Sequence, residues 1–176
     1  MRKSSAKNSK KEEPKSQHKF IQNSKLIIHN LAKAMATLNP YLNFEGNTEE
    51  AFTFYKSVFG GEFTNITRFK DTPAAAGMSP ADVNKLMHVS LPIGKGNTLM
   101  GTDAVEGMGH KLTNGNNVQL SLEADSKEEA EKIFNGLSAG GKVEVPLSDQ
   151  FWGAYFGMFA DKYGVKWMVN YTYPKK

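Results

Sequence analysis

The sequence predicts an α+β fold in which one chain carries two βαβββ modules, because the same pattern of elements is written twice. The first module covers roughly residues 37–103 and the second roughly 117–173. Each module opens with a stretch in which apolar and polar residues alternate, followed by a capped helix. The last strands of the two modules are also similar to each other. The matching openings are Asn39–Ala51 and Val118–Ala130, and the matching endings are Gly96–Met100 and Gly164–Met168. The repeat therefore predicts eight strands and two helices, with one helix covering one face of each module's strands.

The first module starts with a predicted strand over Leu38–Phe44, with Pro40 near its beginning, where a missing N–H is tolerated. Asn47 is a typical N-cap and Glu50 occupies the N3 position of a capping box. The spacing i, i+3, i+4, i+7, i+8 predicts one apolar helix face, formed by Ala51, Phe54, Tyr55, Val58 and Phe59. The rest of the module is predicted as a strand over 62–69, a loop over 71–84, and a hairpin of strands 85–93 and 98–102.

The second module follows a glycine- and asparagine-rich linker over 104–117 and repeats the same order. After a strand over 118–123, Asp125 is the predicted N-cap and Glu128 the N3 residue. The predicted helix face consists of Ala130, Ile133, Phe134 and Leu137. A short strand over 142–145 should stop at Pro146, because proline interrupts a central ladder. The last hairpin is predicted to pair strands 152–160 and 165–171.

Charge is distributed unevenly along the chain. Residues 1–34 contain nine Lys or Arg and two Glu, a net +7, whereas the remaining 142 residues carry a net −3. A nucleic-acid-binding domain should be basic on its folded face, so we expect no nucleic acid as a partner. No apolar run approaches the roughly 20 residues that span a bilayer, so we expect no membrane partner either. The absence of cysteine excludes a disulfide framework and a thiol nucleophile, and it fits a cytoplasmic protein.

The segment of residues 1–34 is predicted to be a disordered, basic N-terminal extension. It begins with Lys-, Ser- and Asn-rich sequence and lacks the apolar core of a signal peptide. The alternative interpretation is a basic arm for targeting, for nucleic acid or for tethering the protein to another anionic partner.

Three ordered motifs resemble PhnB-like proteins. They are Asn39–Phe44 with Ala51–Tyr55, then Met87-His88 with Leu99–Asp103, and finally Trp152-Gly153 with Asp161–Met168. PhnB-like proteins belong to the vicinal oxygen chelate superfamily, which includes glyoxalase I, bleomycin-resistance proteins, fosfomycin-resistance enzymes and extradiol dioxygenases. The resemblance covers about residues 37–173. It implies a glyoxalase/bleomycin-resistance-type curved, eight-stranded mixed sheet with two helices, and a homodimer.

Enzymes of that superfamily bind a divalent metal through His and Glu side chains on the strands. By register, the corresponding positions in this chain are Pro40, Met100, Val118 and Met168, which offer no donor or a poor one for hard ions. A slip of one residue would place Asn39, Tyr41, Asn117, Gln119 or Trp167 there, and none of these forms a His/Glu set. We therefore expect neither the usual metal site nor any other cofactor.

The predicted ligand-binding residues combine aromatic, thioether and polar side chains: Trp152, His88, Met100, Met168, Gln150 and Tyr155. Polar-tipped aromatics suit a small-molecule pocket with few polar anchors. Ordinary sheet core is the alternative for Trp152, and alternation favours the opposite face for Tyr155. His88 is the candidate catalytic residue, either a general base or a hydrogen-bonded structural histidine. Asp103 is interpreted as a turn-capping aspartate rather than a site acid.

Two functions are therefore predicted. The first is a homodimeric binding protein that holds a small, partly aromatic or amphiphilic molecule. The second is a lyase or isomerase of the glyoxalase type, which uses either a metal held by unusual ligands or acid–base chemistry at His88. No glycine-rich motif for S-adenosylmethionine lies between a strand and a helix, which disfavours methyl transfer.

Overall fold

The computed structural model describes residues 37–109 and 111–174, so the predicted N-terminal extension lies outside the described residues. The first module contains one helix and four strands: β1 (Tyr41–Phe44), α1 (Thr48–Phe59), β2 (Asn65–Arg68), β3 (Leu86–Pro92) and β4 (Thr98–Asp103). The second repeats that order: β5 (Leu120–Glu123), α2 (Lys127–Ser138), β6 (Lys142–Gln150), β7 (Ala154–Ala160) and β8 (Lys166–Thr172). Three short 3₁₀ turns occupy the loops, at Phe69–Asp71, Pro73–Ala75 and Glu106–Met108. The predicted α+β fold with two βαβββ modules is confirmed.

The eight strands are divided between two four-stranded mixed sheets of identical topology. The first sheet has the order β1-β4-β3-β2 and the second has the order β5-β8-β7-β6. In each sheet the strand that precedes the helix pairs in parallel with the last strand of its module, and the other pairs are antiparallel. The repeated sequence therefore folds as a repeated pairing scheme.

The buried side of α1 differs from the predicted apolar face. Phe52, which lies off the predicted stripe, is 0% exposed, whereas Phe54 and Phe59 are only partly buried. The reason is that α1 packs on two partners. It covers β3 and β4 of its own sheet, and it also contacts α2 of the second module. A helix buried between two layers needs a wider apolar arc than one face of a surface helix.

Phe52 also explains a close approach in the first sheet. A Cβ atom added to Gly101 on β4 would lie 2.5 Å from Cε2 of Phe52. The second module has a similar contact on a non-equivalent strand, where a Cβ atom added to Gly157 on β7 would lie 2.5 Å from Cε2 of Phe134. In both modules a glycine in a strand lets the helix aromatic sit directly on the sheet.

The N-caps of the two helices differ in part from those predicted. Asn47 is the N-cap residue of α1, but its side chain makes no capping hydrogen bond. The carboxylate of Asp103 accepts from Thr48 N (3.0 Å) instead, and its other oxygen accepts from Leu86 N (2.8 Å). The N-cap of α2 is Ser126 rather than Asp125, since Ser126 Oγ accepts from Glu129 N. The two helix starts are therefore satisfied by different means.

The prediction that Pro146 ends its strand is wrong, because β6 runs through it to Gln150. Strand β6 lies at the edge of the second sheet, where a missing N–H can face solvent. The pairing with β7 also shifts register between Val145 and Ser148, so the proline falls within an irregularity. As a consequence, Trp152 lies in the β6–β7 turn rather than in the last hairpin's first strand.

The two modules share one hydrophobic core. Its buried members come from both helices and from one face of each sheet, including Phe52, Val89, Leu99, Phe134, Phe159, Trp167 and Val169. Contacts across the junction include the rings of Tyr55 and Trp167, whose centroids lie 5.7 Å apart. We call the faces turned toward this core the inner faces of the sheets and the opposite faces the outer faces. The outer faces point away from the shared core.

Candidate functional site

The outer face of the first sheet carries His88, Met100 and two residues that were not predicted as ligand contacts. Ser90 pairs with Met100 across β3 and β4, and Tyr41 pairs with Met100 across β1 and β4. Because residues that pair directly lie on the same face, and His88 is two residues from Ser90, all four side chains share this face. Val89 and Leu99, which alternate with them, are buried in the core.

His88 is held from both sides on this face. The hydroxyl of Tyr41 lies 3.2 Å from Nδ1, and Oγ of Ser90 lies 2.7 Å from Nε2. The Tyr41 and His88 rings also pack at 5.7 Å between centroids. A neutral imidazole has one donor and one acceptor nitrogen, and two hydroxyl partners can satisfy either tautomer. This chain of three side chains, which we call the Tyr41–His88–Ser90 chain, fixes the ring while leaving its hydroxyl partners free to exchange donor and acceptor roles.

Tyr41 belongs to this chain but also remains partly accessible. Burial raises the pKa of Tyr41, and a hydrogen bond with Thr102 partly opposes that rise. The phenol therefore stays protonated at neutral pH and can donate to a ligand or to His88. The signal in the sequence was the period of two in β1 and β3, which places Tyr41 and Ser90 out of phase with the buried Leu and Val residues.

The outer face of the second sheet is more apolar. Met168 pairs with Met158 across β7 and β8. Phe156 lies two residues before Met158 on β7, so its side chain is on the same face. The β6–β7 turn adds two exposed aromatics, Phe151 at 97% and Trp152 at 54% exposure. Their rings lie 4.8 Å apart, and Trp152 lies 5.9 Å from the ring of Phe156. A continuous aromatic and thioether strip therefore runs from this turn onto the sheet.

Gln150 and Tyr155, which were also predicted to contact the ligand, lie away from the aromatic and thioether strip. Gln150 lies at the end of β6, where its Nε2 donates to the carbonyl of Ser148 (3.2 Å). Tyr155 lies on the inner side of β7, and its hydroxyl donates to Oε1 of Glu131 on α2 (3.2 Å). Lys127 sits 4.1 Å from the Tyr155 ring centroid. The alternation of side chains along β7 predicts the inner face for Tyr155, opposite to the face of Met168.

The register also corrects the positions inferred for metal ligands. Tyr41, not Pro40, pairs with Met100, and Ser121, not Val118, pairs with Met168. Hydroxyls and thioethers do not form the His/Glu donor set that hard divalent ions prefer. Across residues 37–109 and 111–174, no three His, Cys, Asp or Glu side chains group closely enough to hold a metal ion. The paired positions Tyr41 with Met100 and Ser121 with Met168 therefore do not supply the His and Glu donors that the resemblance implies for a metal.

Within one chain the two sets of predicted contacts are not brought together. His88 and Met100 lie on the first sheet, whereas Met168, Gln150 and Trp152 belong to the second. Five cavities that we find in the described part of the chain have volumes between about 260 and 730 Å³. None of these five is lined by any of those side chains or by Tyr155. Within residues 37–109 and 111–174, these predicted contacts therefore do not line an enclosed cavity.

The helices of the described region contain no stretch long and apolar enough to cross a bilayer. The longest are α1 and α2, each of 12 residues.

Comparison with known proteins identifies the relatives of this chain. Protein YjdN of Escherichia coli K12 is 32% identical over 142 residues, covering 76% of this chain and 93% of YjdN. The crystal structure of protein PA1353 from Pseudomonas aeruginosa is 40% identical, covers 78% of this chain and 98% of that chain, and superposes with a TM-score of 0.68. A PhnB protein from Bacillus cereus, described as a putative 3-demethylubiquinone-9 3-methyltransferase, is 27% identical over 78% of this chain and all of that chain, with a TM-score of 0.63.

More distant structures share the fold alone. Glyoxalase/bleomycin resistance proteins at 16% and 18% identity superpose with TM-scores of 0.54 and 0.51. They confirm the predicted glyoxalase/bleomycin-resistance-type architecture. The sequence model of one family, described as 3-demethylubiquinone-9 3-methyltransferase, matches residues 36–170. On this match, and on the similarity to YjdN, the chain belongs to that PhnB-like family.

Proposed function

We propose that this protein binds a small, amphiphilic or partly aromatic molecule at the outer faces of its sheets, without a metal ion. The observation that carries the proposal is the Tyr41–His88–Ser90 chain on the outer face of the first sheet, where the Tyr41 end is 44% exposed. Three polar side chains aligned in this way, next to Met100, resemble the few oriented polar groups of a ligand site. We further propose that the protein works in the cytoplasm, because a chain without cysteine has no disulfide that an oxidising compartment would have to form.

The second sheet supplies the apolar half of the proposed site. Met158, Met168 and Phe156 offer adaptable and aromatic surface, and Trp152 stands at its border. Thioether side chains adjust to ligands of different shape, and aromatic rings provide large contact area. A ligand with one apolar and one polar end matches these two unlike faces.

A homodimer would bring these two unlike faces together. The two outer faces of one chain point away from a shared core, so a single chain cannot close them around one ligand. A second copy can place its apolar outer face against the polar outer face of the first, and the two-fold symmetry of such a pair would create two equivalent sites. The exposed Phe151–Trp152 turn is the kind of aromatic surface that becomes buried in such an interface.

The methyltransferase description of the family is not part of the proposal. In both modules the connection from the first strand to the helix is short, and in the first it reads Glu45-Gly46-Asn47. It lacks the glycine-rich loop that cradles a nucleoside cofactor at a helix start. Isothermal titration with S-adenosylmethionine tests this point, and saturable binding would contradict it.

The proposal can be tested with 8-anilinonaphthalene-1-sulfonate, an amphiphilic aromatic anion, as the probe. We expect saturable binding that changes the emission of the exposed Trp152, and a loss of that change in Trp152→Phe. Tyr41→Phe and His88→Ala should weaken binding about tenfold, as expected for a lost hydrogen bond to a buried polar group. Tyr155→Phe is the matched control, since this tyrosine lies on the inner face. Equal affinity for all four variants would contradict the proposed site.

Sedimentation equilibrium tests the dimer independently. We expect a particle of twice the 19.5 kDa chain mass, and Phe151→Ser combined with Trp152→Ser should shift the equilibrium toward the monomer. A strictly monomeric wild-type protein at micromolar concentration would contradict the shared site.

An enzyme is the second candidate, favoured by the two-sided hold on His88. A general base must be oriented, and the hydroxyls of Tyr41 and Ser90 orient this imidazole. A glyoxalase-type isomerisation can be assayed with methylglyoxal and glutathione, with and without added nickel or zinc. Turnover that disappears in His88→Gln, while binding of the probe persists, would favour the enzyme over the binding protein.

A further inference from the structure

We infer that the linker between the two modules carries a self-modification site at Asn114-Gly115, where the asparagine converts to aspartate and isoaspartate without an enzyme. The reacting groups are the side-chain amide of Asn114, the backbone nitrogen of Gly115 and water. The inference concerns the linker rather than the outer faces of the sheets, so it goes beyond the proposed function and does not depend on it.

The chain contains two Asn-Gly pairs, and they lie in different kinds of structure. Asn114-Gly115 lies in a part of the linker that is neither helix nor strand, whereas Asn135-Gly136 lies inside α2. Both asparagine side chains are exposed, so water reaches both amides. The difference between the two pairs is therefore in the freedom of the backbone.

The reaction joins the asparagine side chain to the next backbone nitrogen. The nitrogen of Gly115 loses its proton to solvent and attacks Cγ of Asn114, which closes a succinimide ring. The bond from Cγ to Nδ2 breaks, and the leaving nitrogen takes a proton from solvent and departs as ammonia. Water then opens the ring at either carbonyl, which leaves aspartate or isoaspartate. The sum consumes one water and releases one ammonia, without oxidation or reduction.

The surroundings of Gly115 leave room for this attack. Glycine has no Cβ to obstruct the approach of its nitrogen, and it adopts backbone conformations that other residues avoid. Among the described residues, and apart from its chain neighbours, the one heavy atom within 4 Å of a Cβ built on Gly115 is Oδ1 of Asn117, at 3.4 Å. No packed side chain therefore holds the reacting atoms apart.

The helix α2 opposes the same reaction at Asn135. A helical backbone directs the N–H of Gly136 along the helix axis, toward the carbonyl four residues earlier and away from the preceding side chain. Gly136 also lies at the contact with α1, since a Cβ atom added there would lie 2.9 Å from Cγ1 of the buried Val58. Conversion at Asn135 therefore requires local opening of a packed helix.

Conversion of Asn114 adds a negative charge to a cavity wall. Asn114 and Gly115 line a cavity of about 610 Å³ between β1, the linker and the turn between β7 and β8. The charged residues in its lining are Glu45 and Lys166, and Lys166 Nζ already donates to Oε1 of Glu144 at 2.6 Å. The new carboxylate therefore makes the lining net negative, and the isoaspartate form also lengthens the linker backbone by one methylene.

Peptide mapping by mass spectrometry tests the inference, because trypsin separates the two pairs. The tryptic peptide 112–127 contains Asn114, and the peptide 133–142 contains Asn135. The full-length protein is incubated in mildly alkaline buffer and sampled over several weeks, and fragment ions assign the modified position. We expect conversion at Asn114 to be at least about tenfold faster than at Asn135, because only the latter must wait for helix opening. No conversion at Asn114, or a rate at Asn135 that equals or exceeds it, would overturn the inference.

The same measurement in urea separates the effect of the fold from that of the local sequence. In the unfolded chain the two pairs should convert at similar rates, because α2 and its contact with Val58 are lost. If the native preference for Asn114 persisted unchanged in urea, neighbouring residues rather than the fold would select it, and the structural argument would fail.

Gly115→Ala is the matched variant. The backbone of Gly115 lies outside the left-handed region and has space for a methyl group, so the folded protein should tolerate alanine. We expect an unchanged melting temperature and conversion at Asn114 at least about tenfold slower, because the added Cβ obstructs the attacking nitrogen. An unchanged rate in this variant would show that the Gly115 nitrogen is not the attacking group.

Discussion

The hydroxyl of Tyr55 on α1 donates a hydrogen bond to Oδ2 of Asp161, 2.8 Å away, in the turn between β7 and β8. This bond joins the two modules, which are 106 residues apart at this point in the chain. Asp161 also accepts from Trp167 Nε1 and from the backbone N–H groups of Tyr163 and Val165. The carboxylate is 3% exposed and fully supplied with donors, so it fixes the turn and the helix of the other module to each other.

Tyr55→Phe should lower the free energy of unfolding by about 1.5–3 kcal/mol, because a hydrogen bond to a buried charged group is lost. Urea denaturation followed by circular dichroism measures this change. Tyr163→Phe is the matched control, since its hydroxyl also crosses between the modules but bonds to the exposed Glu50. It should cost less than about 1 kcal/mol. Equal losses in the two variants would contradict a special role for Asp161.

Stability should decline above about pH 10. Burial, together with the nearby Asp161 carboxylate, raises the pKa of Tyr55 well above its ordinary value. A raised pKa in the folded state means that the unfolded chain loses its proton first as the pH rises. The stabilisation is therefore complete below about pH 10, the pKa in the unfolded chain, and is lost progressively above it. Urea unfolding between pH 8 and pH 11 should show a smaller decline for Tyr55→Phe than for the wild type.

Phe52→Ala should cost about 3–5 kcal/mol, because this ring is fully buried against Gly101 and cannot be replaced without a cavity. Phe134→Ala in α2 should cost a similar amount, since its ring lies on Gly157 in the same way. Phe54→Ala is the contrast, because Phe54 is only partly buried and should cost less than about 2 kcal/mol. A larger loss at Phe54 than at Phe52 would restore the helix face predicted from spacing.

Asp103→Ala should destabilise the protein by about 3 kcal/mol. It leaves the backbone N–H groups of Thr48 and Leu86 without an acceptor, and both are buried. Asn47→Ala should change stability by less than about 0.5 kcal/mol, since the Asn47 side chain caps nothing. Thermal unfolding of the two variants separates these outcomes. A larger effect at Asn47 would show that the N-cap position matters more than the carboxylate.

The purified protein should contain less than about 0.1 equivalent per chain of nickel, zinc, manganese or iron after dialysis against traces of all four. The paired strand positions where relatives would hold metal ligands contain Tyr41 with Met100 and Ser121 with Met168. Hydroxyl and thioether groups are poor ligands for these ions. Inductively coupled plasma mass spectrometry measures the content. Near one equivalent of a metal that is lost in His88→Ala would make this protein a metalloenzyme with an unusual ligand set.

Local sequence signals were sufficient for the modules and for most elements. The alternation in β1 and β5 and the acidic helix starts specify strand and helix through short-range physics. Alternation along β7 separates Tyr155 from Met158, which pairs with Met168. Sequence patterns were insufficient at β6, where an edge position lets the strand pass through Pro146, because edge status depends on which strands pair.

The sequence by itself determined the two βαβββ units, most of their helices and strands, and the resemblance to PhnB-like proteins. These features depend on periodicity, capping and motif spacing. Only the tertiary structure decided which side chains meet. Packing of α1 against a second module selected Phe52 over Phe54, and the register of β1 with β4 placed Tyr41 rather than Pro40 opposite Met100. The alignment of Tyr41, His88 and Ser90 joins residues on strands that are far apart in the chain. Such contacts follow from strand pairing across long loops, and no local pattern encodes them.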